Sequence, residues 1–320
     1  YYSVTTAGNL FFMKGTNANK LETLIEKVIV LGETVSDPEA VEALAVALAK
    51  LTQDEYSMAI LEKKGLFDSM LLLVLQILSK CTNNQVHAKE TCPIAICRIS
   101  LKLGSLHLSN NRKDEIAKSL IDLLDIDNDI VLINCVCTMR ALGDSGICQK
   151  EFLSYSNGTL FTRIATIVKV YGTGNKSLCR NCCALIAGFS YLSEAHNALS
   201  QPDVTEMLFL TTKSDDTITR EIVAIIICNM TVSPEATKKL INSGVCEIVA
   251  TLSGATSEGI QELCAKCICN LTCAIDMHKD IISHGVLQTI LLIALVRTVE
   301  DKTKLLCARA IMNLLSDSNI

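Results

Sequence analysis

Polar residues at four-residue steps interrupt an otherwise apolar stretch between residues 259 and 272, where Glu262, Lys266 and Asn270 fall in one row. A helix with this pattern is apolar on most of its circumference. It must pack on several sides and leave one polar row to face water or a partner. The pattern recurs along the chain. Asn270 has counterparts at Asn229 and Asn313, 41 and 43 residues away, in the contexts Ile227-Cys228-Asn229-Met230-Thr231 and Ile311-Met312-Asn313-Leu314-Leu315. Weaker copies place Gly188, Arg140, Arg98 and Lys50 in the same slot, at spacings of 41 to 48. Self-similarity at such a period marks an array of stacked helical units, each of which buries its apolar faces against its neighbours.

The hydrophobic pattern and its punctuation predict the helices of each unit. Residues 20–31 read as an amphipathic helix in the least regular part of the chain. Asp37 and Pro38 give a helix start, as N-cap and first helical residue, for a buried helix over 41–52. A short helix over 57–64 ends at Gly65 and gives way to a Leu-rich helix over 66–78, then a polar loop at 79–85. The next buried helix, 87–101, contains Pro93, which is expected to kink or shorten it. Helices follow at 113–124, 130–142, 160–171 and 176–191, the last two separated by Gly172-Thr173-Gly174. Ser233 and Pro234 start another helix, and Gly244 and Gly285, 41 residues apart, break the last two units at the same point. The approximate units are 1–55, 56–103, 104–144, 145–192, 193–232, 233–274 and 275–320. The chain begins at Tyr1 and stops as another unit would begin, which reads as a piece of a longer array.

Composition narrows the class. Hydrophobic residues make up 49% and aromatics 4%, with no Trp, so the core is aliphatic. The net charge of −5 lacks the basic footprint of a general nucleic-acid binder. The longest apolar runs, near residues 70–78 and 290–296, are too short to span a bilayer. Most of the 16 cysteines, including Cys135, Cys137, Cys228, Cys267 and Cys269, sit inside apolar helical patterns as small hydrophobes. That points to a reducing, cytoplasmic compartment. The sequons at Asn157, Asn175, Asn229 and Asn270 are then expected to be unused.

The unit of about 40 residues, with a short helix, a glycine, a second helix and a longer third, resembles the armadillo repeat. Its glycine step appears as Gly65-Leu66, Gly244-Val245 and Gly285-Val286. Its third-helix pattern appears at 265–271 and 308–314, with Ile268 and Ile311 in place of the family's first leucine, and more loosely at 45–51. The resemblance implies an all-α, right-handed armadillo/HEAT-like α-solenoid of about seven three-helix repeats. It also implies that Asn229, Asn270 and Asn313 face a concave groove and hydrogen-bond the backbone of an extended peptide. Nuclear-import adaptors of this family carry a Trp four residues before many such asparagines; here those slots hold Ile225, Lys266 and Arg309, which argues against that role.

The row slots Lys50, Arg98 and Arg140, with Lys266 and Arg309 one turn before Asn270 and Asn313, give a basic and amide row. Glu42, Glu90, Glu221 and Glu262 give a partly acidic one, interrupted at Leu132, Arg180 and Leu305. The expected ligand is an extended protein segment of mixed or acidic charge. The alternative is that these residues are only the solvated edge of each helix. The chain would then be a component of a large cytoskeletal or ciliary assembly, held through its convex or lateral surface. Chemistry is poorly signalled. Cys264-x-x-Cys267 and Cys179-x-x-Cys182 have metal-like spacing but lie on apolar helix faces, and a structural zinc needs four convergent ligands. No His–acid pair accompanies a cysteine nucleophile, and Gly172-x-Gly174 lacks a phosphate-loop context. The expectation is a non-catalytic scaffold without metal or cofactor.

Overall fold

The periodic apolar stretches close into nineteen α-helices among the described residues of a computed structural model. These residues are 18–82, 84–104, 107–155, 159–172, 174–296 and 300–316, with side chains described from residue 22. The segment before residue 18, the sequon at Asn157 and Thr173 lie outside them.

The chain divides into two units, residues 1–155 and 156–320. The first contains α1 (Ala18–Thr34), α2 (Pro38–Leu51), α3 (Glu55–Lys64), α4 (Phe67–Lys80), α5 (Val86–Leu103), α6 (Asn110–Asp122), α7 (Asp129–Asp144) and α8 (Gln149–Ser154). The second contains α9 (Thr159–Tyr171), α10 (Lys176–Ser190), α11 (Ser193–Leu199), α12 (Pro202–Thr212), α13 (Thr217–Met230), α14 (Pro234–Asn242), α15 (Val245–Ser253), α16 (Glu258–Leu271), α17 (His278–Ser283), α18 (Val286–Leu295) and α19 (Asp301–Leu315). Within the first unit α2, α5 and α7 pack side by side as third helices, with α1, α4 and α6 as the second-helix layer. Within the second unit the third helices α10, α13, α16 and α19 form one layer and α9, α12, α15 and α18 the other.

Local chemistry fixes where the helices begin. Asp37 Oδ2 accepts from Ala40 N at 2.9 Å, Asp54 Oδ2 from Ser57 N at 2.8 Å and Asn175 Oδ1 from Leu178 N at 3.0 Å. Gly244 and Gly285, at φ +90° and +77°, turn the chain between first and second helices in a conformation that a β-carbon disfavours.

The ends of the third helices share a second device. The last-turn carbonyl of Ser190 accepts from His196 Nε2 at 2.8 Å, and that of Thr272 from His278 Nε2 at 2.8 Å. In the repeat between them, Thr231 O accepts from Thr237 Oγ1 at 3.0 Å. In each case a side chain of the next first helix satisfies a helix-end carbonyl. His196 and His278 are therefore buried structural groups, with the donor proton on Nε2.

Two expectations change. Pro93 does not cut its helix: α5 continues to Leu103, and the carbonyl of Pro93 accepts from Thr138 Oγ1 of α7 at 3.0 Å. Packing against neighbouring third helices holds the segment through the missing N–H. Three helices per repeat also do not hold throughout, because among the described residues α6 and α7 form a two-helix step with no separate first helix.

Candidate binding face on the third helices

Burial along each third helix repeats in register. Half-buried pairs recur at Cys97-Arg98, Ala187-Gly188, Cys228-Asn229 and Cys269-Asn270, each followed by two buried residues. In α7 the corresponding pair is Arg140-Ala141, ahead of buried Leu142 and Gly143. Ala141, not Arg140, therefore occupies the asparagine slot. The sequence alignment was one residue out there because Leu142-Gly143 carries no polar marker. Arg140 is exposed, with Nε 3.6 Å from Asp144 Oδ2 one turn on.

The row asparagines join neighbouring repeats. Asn229 Nδ2 donates to Ser190 Oγ at 2.8 Å, Asn270 Nδ2 to Thr231 Oγ1 at 3.2 Å, and Asn313 Nδ2 to Thr272 Oγ1 at 3.1 Å. Each hydroxyl donates in turn to the carbonyl three residues back, at Ala187, Cys228 and Cys269. The amide nitrogen of each asparagine is thus committed to a ladder between third helices, and that of Asn313 also lies 3.5 Å from Cys269 O and 3.6 Å from Cys273 Sγ. Sequence reasoning missed this ladder, although the Ser or Thr two residues after the slot signals it. In the first unit the ladder fails. Ser100 is fully buried and its Oγ has no hydrogen-bond partner, because the next slot holds Ala141.

Charges on the face are partly neutralised. Arg180 makes a fork to Asp216, Nε to Oδ2 at 3.0 Å and Nη2 to Oδ1 at 2.9 Å. That pairing holds the Asp216 carboxyl down to about 2 despite its partial burial. Glu262 Oε1 lies 2.7 Å from Lys266 Nζ on its own helix, and Oε2 lies 2.9 Å from Lys302 Nζ of α19. The two ammonium groups lower its pKa. Glu221 and Arg309 are exposed and have no ion-pair partner among the described residues. Lys50 is exposed at the end of α2. Arg98 is half-buried and lines a cleft of about 730 Å³ between α3 and α5. One turn beyond the row the second unit exposes Tyr191 and Val232, at 71% and 70%. Neither stood out in the sequence, where single apolar residues near helix ends look like core.

Cysteines divide by environment. Burial pushes Cys148, Cys246 and Cys264 up to about 12. Half-buried Cys228 is lowered instead, by the Cys267 thiol hydrogen-bonded to it and, less strongly, by the ammonium of Lys266. All 16 cysteines are free thiols. Among the described residues no group of three or more His, Cys, Asp or Glu side chains is placed to hold a metal ion, and no helix is long and apolar enough to cross a membrane.

No family model matches the chain, and no curated protein matches it. Solved structures do. An engineered protein superposes with a TM-score of 0.53 at 15% identity, covering 93% of this chain and 99% of its own. A computationally designed armadillo repeat protein for modular peptide recognition gives 0.57 at 14% identity, covering 75% and 98%. A designed armadillo repeat protein in complex with the peptide (KR)4 gives 0.53 at 14% identity, covering 83% and 99%. With its stacked third helices, glycine breaks and inter-repeat ladder, the chain has the fold of an armadillo-like α-solenoid.

Proposed function

We propose that the chain is a non-catalytic, cytoplasmic scaffold that binds an extended polypeptide segment along its third helices. The observation that carries this reading is the composition of the third-helix face in the second unit. It presents the half-buried amide groups of Asn229, Asn270 and Asn313, the charges of Glu221 and Arg309, which have no ion-pair partner among the described residues, and apolar side chains at Tyr191 and Val232. Amides can pair with an extended backbone, opposite charges select a segment of mixed sign, and exposed apolar side chains supply contact area. A similarly folded designed protein holds a peptide of alternating Lys and Arg. Here the charges of both signs, and the absence of Trp from the sequence, favour a segment that is not purely basic.

The test is a pair of charge reversals, Glu221→Lys with Arg309→Glu, compared with wild type by proximity labelling in cells. Circular dichroism serves as the folding control. Loss of a partner set at unchanged helicity supports the face. Retention of those partners, together with their loss on Thr251→Arg and Lys279→Glu on the outer helices, would favour lateral attachment within a larger assembly.

A further inference from the structure

We propose that the cleft between α3 and α5 in the first unit seats an acidic side chain of the bound segment, anchored on Arg98. This deepens the peptide-binding reading above and rests on it. Arg98 occupies the slot that holds asparagine in α13, α16 and α19, but it takes no part in a ladder. The hydroxyl two residues past the preceding slot belongs to Thr52, which donates to its own Ala49 O at 2.8 Å and receives nothing from Arg98. Arg98 Nη1 is buried and without a hydrogen-bond partner, although the side chain lines a cleft of about 730 Å³. A buried donor in that state is a standing cost, and because Nη1 is closed off from the cleft, an acceptor recovers it only as the guanidinium turns toward the opening.

The walls narrow the class of ligand. Arg98 and Lys102, one turn apart on α5, put two positive charges on one wall, and no acid pairs with either among the described residues. Glu55 and Glu62 of α3 form the opposite wall, likewise without ion-pair partners. Met58 and the 44% exposed Leu101 add apolar surface suited to methylene groups. A guanidinium fork matches a carboxylate better than a single carbonyl does. The glutamates disfavour a run of acids. The matching segment carries one acidic residue with a basic residue close by, the acid on Arg98 and the base toward α3.

Nitrogen-15 arginine labelling of the full chain reads this directly, because the Arg98 Nε–H signal is identified by its absence in Arg98→Lys. The probe is an N-acetylated, C-amidated Gly-Ser-Glu-Ser-Lys-Ser-Gly peptide at millimolar concentration, beside the same peptide with Gln for Glu. The expected result is a saturable shift of the Arg98 signal, with affinity falling about tenfold or more for the Gln peptide. No saturable shift, or equal titrations with both peptides, overturns the seat. If the Arg220 and Arg309 signals of α13 and α19 shift with either peptide while Arg98 stays still, the seat fails and the binding face stands. Silence at both places removes both.

Discussion

Ala141→Asn should repair the broken ladder in the first unit. Ser100 Oγ is buried without a partner, and Ala141 stands where three other third helices supply an amide donor to the equivalent hydroxyl. An unsatisfied buried hydroxyl costs about 1–3 kcal/mol. Against its recovery stand a helix-propensity loss of about 0.6 kcal/mol for Ala to Asn and about 0.5–1 kcal/mol for ordering the new side chain. The single substitution is therefore expected to be neutral to stabilising by about 1 kcal/mol. The sharper quantity is the coupling between positions 100 and 141, from a double-mutant cycle with Ser100→Ala, which removes the opposing contributions and should be about 1 kcal/mol. Repeat arrays seldom unfold in one step, so a global midpoint would dilute the effect. Hydrogen exchange of α5 and α7 followed by mass spectrometry reads it locally. Added protection in Ala141→Asn that vanishes in the Ser100→Ala background supports the ladder. A coupling below about 0.3 kcal/mol, within the error of additivity for independent sites, would refute the register and the role given to the asparagines.

Replacing Asn270 by Ala should cost about 0.5–1.5 kcal/mol and loosen exchange at the end of α13, since Thr231 loses its donor; an unchanged exchange pattern would contradict the ladder. Asp216→Asn keeps a capping side chain but removes the Arg180 fork, and should lower the thermal midpoint of the second unit; an unchanged midpoint would show the exposed pair to be energetically silent. The Asp216 and Glu262 carboxyls are both held below their usual range, so their contributions are fully present above about pH 4. They are lost as the pH falls through the folded values, toward 2 for Asp216. An acid titration of helicity in Asp216→Asn should therefore show a weaker loss across that window than wild type. Cys228 should be alkylated by iodoacetamide at lower pH than Cys269, whose pKa burial raises, and Cys267→Ala should move Cys228 up. Equal pH profiles for the two thiols would exclude the Cys267 contact as the cause.

The periodic residues carried the fold. Asn229, Asn270 and Asn313 recur at nearly constant spacing, Gly244 and Gly285 mark the same break, and Asp37 caps the helix it was expected to cap. What was less legible depended on neighbours distant in sequence. Pro93 looks like a helix breaker in a one-dimensional reading, yet contacts to α7 hold α5 through it. Arg140 fills the row by spacing, but the longer connection before α10 hid a one-residue shift that only burial reveals. The row residues read as free ligand-binding groups because their partners Ser190, Thr231 and Thr272 belong to the preceding repeat, and the Ser or Thr two places after each slot is the sole mark of that pairing in the sequence. Lys266 likewise reads as an open positive charge until Glu262, which Lys302 of α19 also contacts, is placed beside it.

If the third helices are the surface that holds the partner, site-specific photo-crosslinking in cells with a photoreactive residue at Ile225 or Arg309 captures a discrete partner, and the same residue at Thr251 or Lys279 on the outer helices captures none. Capture from the outer positions alone overturns the proposed binding face.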